Sequence, residues 1–269
     1  MTDYREIIWD ERDSVVRITF NRPEKLNSIS HTMRDELVEA WQHFQADDTK
    51  RVLILTGAGK GFCSGEDVRI LAQNVERQAA QAAPASAIRP VPRPKGSSPL
   101  GREFIQIVRK PVIAALNGVA AGAGIGLALA ADIRIASTEA RFAHIYSRRG
   151  RVTSSEVWYL PRYIRLGPAL SHILLADETS PEEALRLGLV VKVVPPEALE
   201  EEAWALASRL AERPLVSTQF TKEAVRFGLT HTLEETMDWV GWARAVSAGS
   251  GENREGTTAF LEKRQPRFR

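Results

Sequence analysis

This chain of 269 residues lacks a second cysteine, a membrane-length apolar run and any marked excess of one charge. With Cys63 alone, neither an intrachain disulfide nor a cysteine-cluster metal site can form, and no metal site is predicted. No apolar stretch approaches the roughly 20 residues that a membrane-spanning helix needs. Lys+Arg 36 against Asp+Glu 34 leaves a net charge of +2, which counts against a nucleic-acid partner. The opening residues Met1 to Glu6 carry acids and no apolar signal core, so a soluble cytoplasmic protein is expected. The 43% apolar and 26% charged fractions are those of an ordinary globular protein. The length suits one large core with or without a small appendage.

Residues Ile7–Trp9 and Val15–Phe20 read as strands around a charged turn at Asp10–Asp13. Ser30 is placed as an N-cap, followed at helical spacing by Met33, Leu37, Trp41 and Phe44. Strand Val52–Thr56 comes next. Between Ala79 and Gly101 prolines at 84, 90, 92, 94 and 99 forbid a regular helix or central strand, and a mobile surface loop is predicted. A helix over Arg102–Arg109, a strand over Pro111–Leu116, a short apolar helix over Ile125–Ala131 and a strand over Ile133–Ala136 follow. Ser180-Pro181 opens a helix that Gly188 closes, and Val190–Val194 reads as a last strand before an almost wholly helical tail. Strand–helix alternation followed by helices implies an α/β core with a helical C-terminal module.

Two strands end in glycine-bearing loops, Phe62-Cys63-Ser64-Gly65-Glu66-Asp67 and Asn117 to Gly124. Glycine lets backbone N–H groups approach a ligand closely, and the start of a helix favours negative charge. Two such loops, if they converge, can hold a developing oxyanion. Neither loop is a nucleotide fingerprint. Leu127 stands where a dinucleotide motif needs its third glycine. Gly59-Lys60-Gly61 lacks the Ser or Thr of a phosphate loop, and Ile54 stands in place of its leading glycine.

Taken in order, Asn21-Arg22-Pro23-Glu24-Lys25-Leu26-Asn27-Ser28, the Cys-Ser-Gly-Glu-Asp loop, Lys110 to Gly118, the Gly-Ala-Gly turn, Ala131 to Ala136 and the ending Glu255 to Pro266 resemble the crotonase (enoyl-CoA hydratase/isomerase) superfamily over nearly the whole chain. The resemblance implies an α/β fold, a crotonase-like spiral of ββα units with a helical C-terminal module. It divides the chain into a spiral core at 1–200 carrying the acyl-CoA site and an oligomerisation module at 201–269. Trimers or dimers of trimers and an acyl-CoA thioester substrate are implied, with coenzyme A as part of the substrate and no separate cofactor. By position, the backbone N–H groups of Glu66 and Ala123 would hold the thioester oxygen. Lys25, Leu26 and Ser28 would meet the adenine and pantetheine end, with Asp67, Val68 and Gly122 along the same groove. Phe260 and Lys263 would reach the nucleotide from a C-terminal helix, often that of a neighbouring subunit.

The resemblance also exposes a departure. Hydratases of this family activate water with two glutamates, and the matching positions here are Gly126 and Tyr146. Tyr146 remains a candidate acid or hydrogen-bond donor, or else a packed aromatic. His144 would share its face of a strand, as a catalytic or a structural histidine. Glu156, one residue off the isomerase position, is a candidate base or a helix-start carboxylate. The Glu66 side chain is a rim group that could also face the site, Asp67 reads as a loop stabiliser, and Cys63 as a small buried residue. Arg148, Arg149 and Arg151, with Arg89, Arg93, Lys95 and Arg102, are basic groups for an acidic acyl chain or CoA phosphates, or a solvated face. An acyl-CoA enzyme acting through a thioester enolate is the leading expectation. A β-ketoacyl-CoA C–C hydrolase or decarboxylase is the alternative within the fold. A non-catalytic acyl-CoA- or RNA-binding member is the alternative outside enzymes.

Overall fold

Strands whose apolar residues run on without alternation, as at Val52–Leu55 and Val112–Leu116, must be buried on both sides of the sheet they form. A computed structural model, which describes residues 3–70, 72, 76 and 100–268, places them so. Strands β1 (Ile7–Arg12), β2 (Val15–Phe20), β3 (Val52–Gly57), β5 (Val112–Leu116), β7 (Ile133–Ser137) and β10 (Lys192–Val194) form one sheet in the order β1-β2-β3-β5-β7-β10. Only the β1/β2 hairpin is antiparallel in it. Leu53, Leu55, Val112 and Ala114 face the main core, while Val52, Ile54, Ile113 and Ala115 face a second one. The helix Leu199–Ala211 closes that second face with Leu199, Ala203, Trp204 and Ala207. This helix straddles residue 200, so it serves the sheet rather than the helical module.

Short strands β4 (Gly61–Cys63), β6 (Val119–Ala121), β8 (Arg141–Ala143) and β9 (Glu178–Thr179) make a second sheet in that order. Each of β3, β5 and β7 runs into a short strand of this sheet, so a strand pair recurs in three stacked turns. This is the expected spiral, a repeat of geometry without a repeat of sequence. The stack is held at its corners by amides: Asn27 Nδ2 donates to Gly61 O (2.7 Å), and Asn117 Nδ2 to Gly59 O (2.8 Å).

Several expected bounds are corrected. The charged stretch Asp10–Arg12 is strand, not turn, because Asp10 pairs across the hairpin with Arg17 (2.9 Å) and β1 is an edge with a wet face. The helix expected from Arg102 starts at Leu100, which packs inward with Phe104. The expected mobile loop lies, over 79–99, outside the described residues. The apolar helix starts at Ala123 rather than Ile125, and β10 starts at Lys192 rather than Val190. Ser30 and Ser180 cap their helices through their side chains, and Gly188 ends the second of these in a left-handed turn.

Helices Leu215–Gly228, Leu233–Ala248 and Glu252–Leu261 complete the chain. The first is pinned to the core where Lys222 and Arg226 reach the two oxygens of Asp132, at 2.8 and 2.9 Å. Among the described residues no helix is long and apolar enough to cross a membrane.

Candidate active site

Segment 22–29 clamps the first glycine loop. Ile29 N donates to Gly65 O (2.7 Å) and Asp67 N to Ile29 O (3.0 Å), a parallel bridge centred on Glu66. In such a bridge the central residue's own N–H points away from its partner. The Glu66 amide therefore faces away from Ile29. Gly65 sits at φ +94°, and a Cβ there would lie 2.8 Å from Ala121 O and 3.2 Å from Ala123 N. The two loops thus touch.

Gly122, at φ +51°, is the N-cap of the helix Ala123–Ala130 and has no side chain with which to cap it. The first N–H groups of a helix have no acceptor within it. The Ala123 amide starts this helix immediately beside Gly65. The earlier helix start has a physical cause: seven of the eight residues are buried, so packing settles the turn despite three helix-weakening glycines around it.

Tyr146 reaches the same turn. Its hydroxyl lies 3.6 Å from where a Gly122 Cβ would stand, and the Arg151 guanidinium lies 5.8 Å from its ring. Burial, then the nearby charge of Glu156, push its pKa up, so the phenol stays neutral and can donate a hydrogen bond. At Gly126 a Cβ would stand 2.5 Å from Ser155 Oγ, so Ser155 fills the space a side chain there would use. Glu156 follows it at the start of helix Glu156–Tyr163, which packs on helix Ala123–Ala130. Glu156 is 1% exposed; its Oε2 lies 2.6 Å from His144 Nδ1, and its Oε1 has no partner among the described residues.

His144 does not share a face with Tyr146 as expected. Strand β8 ends at Ala143 and Tyr146 is already in a helical turn, so the two-residue alternation of a strand no longer applies. His144 turns inward and Tyr146 toward Gly122. Sequence reasoning did not single out Thr179, whose hydroxyl lies between His144 and His172, or Ser155. No local pattern marks them, since their partners stand 7 to 35 residues away.

Among the expected coenzyme-binding residues, Lys25, Leu26 and Val68 are exposed, and Lys25 Nζ lies 3.9 Å from the carboxylate of Asp67, the residue before Val68, at one rim. Asp67 and Ser28 instead turn inward onto the buried Arg22, which lies 3.1 Å from the Asp67 carboxylate and donates to Ser28 O (2.6 Å). The Arg69 N–H, together with Arg22, holds the Asp67 carboxyl below the usual carboxylate range. Phe260 and Lys263 are not brought to this rim within one chain. Phe260 is 82% exposed and lines a separate groove with Pro214, Asn253 and Phe268. Cys63 is buried, its thiol pushed up to about 12 by desolvation, which leaves no thiolate for nucleophilic attack near neutral pH. Arg148, Arg149 and Arg151 are exposed beside Tyr146, and Arg102 is exposed on its helix; Arg89, Arg93 and Lys95 lie outside the described residues.

An α/β spiral with two glycine turns in contact defines an acyl-CoA-transforming class of enzyme, and the chain belongs to the enoyl-CoA hydratase/isomerase family, whose model matches residues 10–269. It is 37% identical to a 1,2-epoxyphenylacetyl-CoA isomerase of Escherichia coli over 94% of each chain. It is 36% identical to an (E)-benzylidenesuccinyl-CoA hydratase of Thauera aromatica over 95% of each. An enoyl-CoA hydratase subunit from Geobacillus kaustophilus superposes with a TM-score of 0.86 at 32% identity, covering 100% of this chain and 99% of that one.

Proposed function

We propose that the protein converts acyl-CoA thioesters through an enolate whose oxygen is held by the Glu66 and Ala123 amides, with Glu156 moving the substrate proton. The close approach of the two glycine turns supports this reading, since a Cβ on Gly65 would stand 3.2 Å from Ala123 N and Gly65 directly precedes Glu66. An enolate places full negative charge on that oxygen, and one preorganised donor contributes about 2.7–4 kcal/mol to the transition state. Tyr146, neutral and over the same turn, is a third donor.

Water addition by paired carboxylates is disfavoured, since Gly126 and Tyr146 stand where the family's two glutamates would. A single buried carboxylate suits removal and return of one proton, that is, double-bond isomerisation. The E. coli and Thauera relatives are named for acyl groups bearing an aromatic ring, which supports an aryl-substituted substrate here. Lys25, Leu26 and Val68 would meet the CoA arm, with Phe260 and Lys263 supplied by a neighbouring subunit of a trimer or dimer of trimers.

The test is incubation in D2O with saturated, enoyl-, aryl-enoyl- and β-ketoacyl-CoA esters, followed by mass spectrometry. Deuterium at the α-carbon with a migrated double bond is the expected result. A gain of water, or loss of an acyl fragment or CO2, would reassign the reaction to hydration, C–C hydrolysis or decarboxylation. Binding without any exchange would make the protein a non-catalytic acyl-CoA binder.

A further inference from the structure

Behind Glu156 lies a row of buried polar groups with no part in the scheme above. His144, 2% exposed, sits 2.6 Å from Glu156 Oε2 through Nδ1. Its Nε2 lies 3.4 Å from Thr179 Oγ1, and that hydroxyl lies 3.1 Å from Nδ1 of the half-buried His172. The groups come from the end of β8, the start of one helix, strand β9 and the helix Leu166–Leu175. Glu156 Oε1 meanwhile is buried and has no partner among the described residues. An oxygen left bare in such a place is costly unless a ligand atom meets it.

The direction of the row follows from hydrogen counting. With Glu156 ionised, His144 must carry its proton on Nδ1, which leaves Nε2 as an acceptor. Thr179 owns one hydroxyl hydrogen, so it donates to His144 and accepts from His172 Nδ1–H. Each donor then points toward the carboxylate. His172, its pKa lowered by burial and next by His144, stays neutral and keeps this arrangement.

We propose that His144 is the positioning residue for Glu156, holding Oε2 in a charge-assisted bond so that Oε1 alone exchanges the substrate proton, while Thr179 and His172 fix the histidine tautomer. The proposal rests on the reading of Glu156 as the proton carrier. In the step itself the substrate C–H bond breaks and an O–H bond forms at Oε1. The electron pair passes into the enolate, the Oε1 proton exchanges with solvent, and a proton from Oε1 returns to carbon. No proton crosses to His144.

The test uses the intact enzyme and α-deuterium exchange of an enoyl-CoA ester, read as kcat against pH. Glu156 faces His144 and Tyr146; Tyr146 also faces Arg151 and Glu66, and His172 faces Glu183 and Asp177. E156Q should lower kcat by about 10²–10⁴-fold. H144L removes the bond that favours the ionised carboxylate. Loss of that hold should therefore lower kcat, with KM little changed. H144N offers an amide N–H near the Nδ1 position and should restore the wild-type profile. Nitrogen-15 histidine spectra of the wild type should give the Nδ1–H tautomer for His144, a readout that needs no variant to fold. An Nε2–H tautomer, an undiminished kcat in H144L, or a failure of H144N to restore kcat would overturn the role of His144. Undiminished exchange in E156Q would instead remove the underlying reading of Glu156.

Discussion

A side chain at position 65 has nowhere to go, since its Cβ would press on Ala121 O at 2.8 Å and the backbone sits at φ +94°. G65A must shift the first loop against the second and so displace the Glu66 amide. We expect a loss of about 10²–10³-fold in kcat, the usual cost of one oxyanion donor, with an unchanged far-ultraviolet circular dichroism spectrum. Y146F deletes a single neutral donor and should cost up to about tenfold, the scale of one neutral hydrogen bond. Because burial and the charge of Glu156 raise the Tyr146 pKa above its ordinary 10.0, ionisation of the phenol should produce no alkaline fall in kcat below about pH 10. A fall near pH 9 that Y146F abolishes would contradict this. At this scale Glu66, Ala123, Tyr146 and Glu156 were legible as candidates from motif position. Asp67 was legible as a loop stabiliser; the inward turns of His144 and Ser28 were not, because no local pattern pairs them with Glu156 and Arg22.

Elements are held by caps and by a few buried charges. S180A removes the side-chain acceptor for Glu183 N and should destabilise by about 1 kcal/mol in urea unfolding. The docking of helix Leu215–Gly228 depends on Asp132, and D132N should cost about 3–5 kcal/mol, because it leaves Lys222 and Arg226 without their counter-charge. Burial lowers the Lys222 pKa from 10.5 to about 8. Between those values the unfolded chain keeps a proton that the folded one has released. Stability should therefore rise with pH from about 8 toward 10.5, by up to about 1.4 kcal/mol per unit from this site. K222M should flatten that rise in urea titrations at pH 8 and pH 10; an equal slope in both proteins would exclude it. The start of helix His31–Ala46, marked by its cap, and both ends of Pro181–Leu187 were readable from the sequence. The start of Ala123–Ala130 was not, since it is set by packing and not by a local cap.

The whole molecule leaves much apolar surface on its C-terminal helices. Leu233, Met237, Trp242, Phe260 and Leu261 are more than half exposed, and a groove of about 440 Å³ beside Phe220, Val225 and Trp239 opens between two of those helices. Such a surface calls for cover, and a second copy of the chain would cover it. Light scattering should give a trimer or a dimer of trimers, and M237E combined with W242E should shift it to monomer. A wild-type monomer would end that reading, and with it the supply of Phe260 and Lys263 from a neighbour. The strands of the larger sheet, the helices with local caps, the two glycine turns and the absence of paired glutamates at 126 and 146 were set by the sequence alone, because each is a property of neighbouring residues or of a motif. That the turns touch, that Ser155 fills the space over Gly126, and that one oxygen of Glu156 is bonded while the other has no partner among the described residues were decided only by tertiary structure. Those relations join residues tens of positions apart, and no local preference encodes a distance across a fold.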